Sequence, residues 1–215
     1  MFRAGARRAE HTDRGSNQAQ ALEALDELRH DPEDPSSLSS NIARVLHVDR
    51  SGALWVGTWG GGLNLYDREK DSFHRYQNRP DDQNSLSHNI VRALYEDRSG
   101  TIWVGTMEGI NKLDRDSGKF IRYQHDSNDP TSISNNIIWS IYQDSQDVLW
   151  VGTANGLNRF DPATETFARY LNDPDDEGSP SNNSIRAIHE DRSGNLWLGT
   201  AAGLDRLNPN RVRTN

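Results

Sequence analysis

The stretch DRSGALWVGT, Asp49 to Thr58, recurs as DRSGTIWVGT from Asp97, DSQDVLWVGT from Asp144 and DRSGNLWLGT from Asp191. Aligned on Trp55, Trp103, Trp150 and Trp197, the spacings are 48, 47 and 47 residues. Each copy leads through a short loop into GLNLYD, GINKLD, GLNRFD or GLDRLN, and the first three continue into FHRY, FIRY and FARY. Each is preceded by an Asn and a short apolar stretch: NIARVLHVD, NIVRALYED, NIIWSIYQD and NSIRAIHED. Self-similarity at this period marks a repeat architecture.

Every unit reads as four short strands. Strand a is IARVLHV in the first unit, and the Asp-Arg-Ser-Gly after it is a turn: Asp caps the backbone two residues on and Gly suits the exit. In the third unit Asp147 stands where that Gly should be, so this turn is expected to be strained or differently shaped. Strand b, LWVGT, is apolar on both faces, as a strand buried between two sheets must be. Gly57, Gly105, Gly152 and Gly199 leave room for close approach by a neighbour. Strand c is GLNLYD and strand d is FHRY. Tandem four-stranded units of roughly 40–50 residues predict an all-β fold of β-propeller blades. A single blade cannot bury both faces, so Trp and the Leu or Ile before it should pack into adjacent blades.

The repeats span 30–208, with units at about 36–83, 84–130, 131–178 and 179–208, and residues 209–215 form a tail. The fourth unit lacks an FxRY strand d. Residues 1–29 are polar, without the apolar core of a signal peptide. Closure of the last blade by Leu22–Leu28 fits the repeat arithmetic. The local pattern opposes it: Asn17 and Gln20 resemble a capping pair, and Leu22, Leu25 and Leu28 recur at helical spacing. A helix is predicted over 18–30, leaving the fourth blade three-stranded.

Composition limits the chemistry. Of the 215 residues 33% are hydrophobic, and the mean hydropathy of -0.89 makes six Trp the natural core anchors. The net charge of -8 argues against nucleic acid as a partner. With no Cys, there is no disulfide or thiolate site. No apolar run approaches the ~20 residues of a membrane-spanning helix.

At DRSGxLWVGTxxGLNxxD, preceded by SLSSN or SISNN, the sequence resembles the two-component regulator propeller repeat over about 30–208. The resemblance implies a non-catalytic sensor module, periplasmic in location, that binds a small molecule or oligosaccharide and signals to kinase or regulator domains of a longer parent chain. Family propellers commonly have about seven blades, within the usual range for the architecture. Four repeats make either a complete small propeller or a sector of a larger one, and the missing strand d and absent signal segment favour a fragment of a longer protein. A streptogramin-lyase-type propeller, with a metal and a His base, is the enzyme alternative, and a protein-binding scaffold is the third.

If strand a is innermost, Arg44, Arg92, Trp139 and Arg186 form a ring at the channel mouth. Arg binds carboxylates bidentately, and Trp offers a flat face to a sugar ring. The plainer reading pairs each Arg with a nearby carboxylate. A second ring, His47, Tyr95, Tyr142 and His189, is read as packing between blades. Trp59 is added as a ligand-binding candidate because it lies outside the repeat pattern beside Gly60, Gly61 and Gly62. The acidic bridges between units, such as HDPEDPSS, read as solvated turns rather than calcium loops, and no metal or other cofactor is expected. Asp49, Asp97, Asp144 and Asp191 occupy one turn position in every unit. A catalytic group is needed once, so the repetition assigns them to structure.

Overall fold

A computed structural model describes residues 27–209. The first blade contains β1 (Ala43–Val48), β2 (Leu54–Thr58), β3 (Leu63–Asp67) and β4 (Ser72–Tyr76). The second contains β5 (Val91–Glu96), β6 (Ile102–Thr106), β7 (Ile110–Asp114) and β8 (Lys119–Tyr123). The third contains β9 (Ile138–Gln143), β10 (Leu149–Thr153), β11 (Gly156–Asp161) and β12 (Thr166–Tyr170), and the fourth β13 (Ile185–Glu190), β14 (Leu196–Thr200) and β15 (Gly203–Leu207). Each blade is an antiparallel meander in chain order, four-stranded in the first three and three-stranded in the fourth. The predicted helix over 18–30 is not present at residues 27–30, and its remainder lies outside the described residues. Within that range no strand pairs with the free edge of β15. The part of Leu22–Leu28 that is described, from residue 27 on, does not pair there either.

The four inner strands pack side by side in the order β1, β5, β9, β13. Strand a is therefore innermost. Between blades lie the apolar cores. Trp55 joins Leu86, Val91, Ile102 and Phe120 of the second blade. Trp103 joins Ile133, Ile138 and Leu149 of the third, and Trp150 joins Ile185 and Leu196 of the fourth. The Trp of strand b thus faces the next blade, while the Ile or Leu before it faces the previous one. That division explains why LWVGT is apolar on both sides. The three Trp are 1–2% exposed. On the outer faces of the end blades, Leu46 is 64% and Leu204 66% exposed, whereas the Leu46 equivalents Ile141 and Ile188 are 8% and 9%. These two faces have no neighbouring blade among the described residues.

Three of the four strand-b glycines are required by that packing, while a Cβ on Gly199 meets only Ala187 of its own blade, at 3.3 Å. A Cβ on Gly57 would lie 2.5 Å from Val91, one on Gly105 2.5 Å from Ile138, and one on Gly152 2.5 Å from the Ile185 carbonyl. No Cβ fits at such distances, so the blades approach as closely as they do only over glycine.

The turn aspartates organise each blade from within. Asp49, Asp97, Asp144 and Asp191 each accept an indole N–H from Trp55, Trp103, Trp150 and Trp197 at 2.9, 2.8, 2.8 and 2.9 Å. The other oxygen accepts backbone N–H groups two and four residues on, as Asp97 does from Ser99 and Thr101. Burial pushes the Asp49 carboxyl up, but hydrogen bonds from Ser51, Trp55, Ala53 and Arg115 outweigh it and hold the group well below the usual carboxylate range. At Asp191 the Trp197 and Asn195 hydrogen bonds bring it down to about 2.

The expected distortion at Asp147 takes a different form. The turn keeps its shape, and Asp147 adopts a φ of 67°, beside 84° at Gly52, 88° at Gly100 and 77° at Gly194. Asp is among the few non-glycine residues that tolerate this region. Its carboxylate also pairs with Arg98 of the second blade.

Candidate functional site: a cationic file along the inner strands

The start of every inner strand carries a β-bulge. Ala43 pairs with Thr58 and Val45 with Gly57, so Arg44 is the extra residue in the ladder. Arg92 and Arg186 are skipped in the same way. In the third blade Thr153 pairs with Ile138 and Gly152 with Ser140, which leaves out Trp139. Bulges re-aim a side chain and recur beside functional sites. All four predicted ring residues are thus bulge residues, a feature that hydrophobic alternation alone does not expose.

The bulges bring the predicted residues together as Arg–Trp stacks. The Arg92 guanidinium carbon lies 3.6 Å from the Trp139 ring centroid, and that of Arg186 lies 5.8 Å from the same ring. Arg44 lies 4.8 Å from the Trp59 ring. Trp59 is 39% exposed. Its N–H bonds the Ile42 carbonyl, and the residue bridges to Ile90 at the start of the next blade. Its backbone therefore links two blades, while its ring lies on Arg44 of its own blade. Arg92 covers a face of the half-buried Trp139 ring. Stacking fixes the guanidinium plane, so its N–H groups bond within that plane.

The plainer reading of these arginines does not hold. Among the described residues none of Arg44, Arg92 and Arg186 forms an ion pair with a carboxylate. The Arg92 Nε and the Trp139 Nε1 are buried without a hydrogen-bond partner. Arg92 Nη1 bonds only the Met107 sulfur, at 3.0 Å, a weak acceptor. Burial, followed by the charge of Arg44, pushes the Arg92 guanidinium below its ordinary value. Met107 was not singled out from the sequence. Its signal was present, since Trp59, Met107, Ala154 and Ala201 share the position after the strand-b Thr.

The second ring packs in file. Tyr95 and Tyr142 have ring centroids 6.1 Å apart, as do Tyr142 and His189. His47 lies 3.7 Å from the Glu96 carboxylate. The acidic bridges use their carboxylates as turn caps: Asp34 accepts the Ser36 N–H at 2.8 Å and Asp129 that of Thr131 at 2.8 Å. Among the described residues no three His, Asp or Glu side chains gather to hold a metal ion.

A family model described as the two-component regulator propeller matches residues 37–60, 85–108, 132–155 and 179–202. These four stretches are two-component regulator propeller repeats. Each matched stretch of this regulator propeller runs from the bridge serine through strands a and b into the b–c loop, so the Arg–Trp stacks and Met107 all lie inside the matched segments. No curated protein matches the regulator propeller in sequence. Among solved structures it is similar to the extracellular domain of a hybrid two-component system of B. thetaiotaomicron, with 24% identity, a TM-score of 0.67, and coverage of 80% of this chain and 22% of that one. It is also similar to a catalytically inactive virginiamycin B lyase from Staphylococcus aureus with quinupristin (16% identity, TM-score 0.54, 84% and 59% coverage). An auxiliary nutrient binding protein from Bacteroides thetaiotaomicron matches at 14% identity and a TM-score of 0.51, over 74% and 36% of the two chains. These likenesses are of fold. The chain spans less than two thirds of each of these proteins, and no helix among its described residues is long and apolar enough to cross a membrane.

Proposed function

We propose that the regulator propeller is a non-catalytic ligand-sensing module acting outside the cytoplasm, which passes its occupied state to kinase or regulator regions of a longer parent chain. Its ligand is a small molecule or oligosaccharide bearing a carboxylate or sulfate. The observation that carries this reading is the set of Arg44, Arg92 and Arg186, held on indole faces without carboxylate partners in a chain whose net charge is -8. Arg44 and Arg186 are exposed, whereas Arg92 is half-buried with its Nε out of solvent and no counter-ion, which costs stability unless something recovers it. An anionic group across the Arg92 fork does so, and the Trp139 N–H adds a donor for a sugar hydroxyl.

The test is a calorimetric titration of the chain with uronate and sulfated oligosaccharides beside their neutral counterparts. Binding restricted to anionic members, and weakened by roughly tenfold or more on Arg92→Ala, supports the proposal. Equal binding of neutral members, or an Arg92→Ala variant of unchanged affinity and unchanged fold, overturns it.

A further inference from the structure

In the first two blades the residue after the strand-b Thr meets the bulge Arg of its own blade. Trp59 lies against Arg44, and Met107 against Arg92, whose Nη1 donates to the Met107 sulfur at 3.0 Å. In the third and fourth blades this position holds Ala154 and Ala201. The second blade thus sets a soft, polarisable atom on its Arg where the first sets an aromatic face. A thioether sulfur is a weak acceptor. Arg92 has no better one. Its Nε is buried without a partner, and among the described residues no carboxylate pairs with it. Its guanidinium carbon is held 3.6 Å from the Trp139 ring centroid.

The backbone on both sides of Met107 is pinned. Thr106 is buried, donates its hydroxyl to the Gly109 carbonyl at 2.9 Å and accepts the Glu108 N–H at 3.0 Å. The Gly109 N–H donates to the Asn136 carbonyl at 2.7 Å, and the Glu108 carbonyl accepts from the Gln124 amide at 3.0 Å. On this fixed loop Met107 is half-buried, so part of its side chain meets solvent. Its three rotatable bonds let the sulfur give ground without moving the loop. The chain has one other methionine, Met1, which lies outside the described residues.

We propose that Met107 is a redox-modification site, at which hydrogen peroxide converts the thioether to a sulfoxide whose oxygen captures Arg92. The sulfur lone pair attacks one peroxide oxygen and the O–O bond breaks, releasing hydroxide. The sulfur-bound OH gives its proton to that hydroxide, which leaves as water. The thioether loses two electrons and the peroxide gains them. The product side chain is polar where the thioether was apolar. Its oxygen is a strong acceptor in front of a donor that already points at the sulfur. Hydrogen bonds from a charged donor are roughly twice as strong as neutral ones, so Arg92 holds the modified side chain in place. The consequence for sensing rests on the proposed role of Arg92 as anion receptor: a guanidinium engaged by the sulfoxide is withdrawn from the ligand's acidic group. Peroxide then lowers the response, and methionine sulfoxide reductase restores it.

The test crosses oxidation with an Arg92 variant in thermal melts of the full chain. Wild type, Arg92→Ala and Met107→Leu are melted before and after dilute hydrogen peroxide, with peptide mass mapping to find one added oxygen on Met107. Met107→Leu keeps Met1 and all six Trp, so it subtracts oxidation elsewhere. A sulfoxide without a partner disturbs its surroundings and lowers the melting temperature. The fall on oxidation should therefore be larger in Arg92→Ala than in wild type by about 2–4 °C, the shift one hydrogen bond makes in a chain of this size. In the wild type itself, the Arg92 side-chain N–H protons should exchange with water roughly three- to tenfold more slowly once Met107 is oxidised, read by nuclear magnetic resonance. Equal falls in the two chains, unchanged exchange at Arg92, or Met107 left intact while free methionine in the same tube is oxidised overturns the proposal. Where an acidic oligosaccharide binds, oxidation should weaken it roughly three- to tenfold in wild type and leave Met107→Leu unaffected; equal affinity of the oxidised wild type also overturns it. The melts and the exchange need no ligand, so a failure of the anion-sensing reading leaves them to decide the fate of Met107 alone.

Discussion

Replacing Asp144 by Ala tests the internal scaffold of the blades. Asp144 is 1% exposed and accepts three N–H groups: Trp150 Nε1 at 2.8 Å, and the backbone of Gln146 and Val148 at 2.9 Å each. The Ala variant leaves a buried indole N–H unpaired, at a cost of about 1–3 kcal/mol. It also frees two turn amides that can partly rehydrate, at about 1 kcal/mol each. The expected loss is about 3–5 kcal/mol, at the upper end for a single substitution. Asp144→Asn keeps one acceptor but either turns an amide N–H toward the indole N–H or gives up the backbone bonds, so its loss is smaller, about 1–3 kcal/mol. An exposed bridge control, Asp175→Ala, should stay within about 0.5 kcal/mol. Urea unfolding followed by circular dichroism and Trp fluorescence reads all three. A loss below about 1 kcal/mol for Asp144→Ala would refute the assignment of the turn aspartates as structural anchors.

Three further predictions follow from the same geometry. Because the Asp49, Asp97 and Asp191 carboxyls sit below their ordinary values when folded, their contribution is complete above about pH 4. It is lost as the pH falls through the folded values, about 2 for Asp191, so an acid titration by circular dichroism should show unfolding below pH ~4; an onset near neutrality contradicts this. At Asp147, Gly should hold or slightly raise the melting temperature, since relief of a positive φ offsets a surface ion pair, while Ala should cost about 1 kcal/mol; Ala matching Gly would show that φ does not matter there. Gly105→Ala should destabilise by about 1–3 kcal/mol through its clash with Ile138, and the double variant with Ile138→Ala should lose less than the sum of the singles in urea melts. Strict additivity would place the two apart.

The repeat made the blades legible, because a 47- or 48-residue period with LWVGT at its centre encodes the two-faced burial of strand b directly. The predicted ring residues were legible too, as equivalent positions on strand a. Their relation was not. That Arg92 lies on Trp139 depends on bulges at the start of each inner strand, and a bulge leaves no mark in hydrophobic alternation. The role of the FxRY arginine was equally hidden. Arg122 reaches carbonyls 37 and 40 residues earlier, a pairing set by how the bridge lies along strand d. Asp147 shows the converse: the sequence marked the exception, and the fold absorbed it without changing the turn.

The central claim is that the Arg–Trp stacks at the inner strands receive an anionic ligand. A crystal structure of the chain with the tightest anionic oligosaccharide from the titration panel tests it most directly. The account predicts the ligand's acidic group within hydrogen-bond distance of Arg92 Nε, with Trp139 Nε1 donating to the same molecule. A ligand seated elsewhere, with Arg92 still lying on Trp139 and its Nε unpartnered, would contradict it.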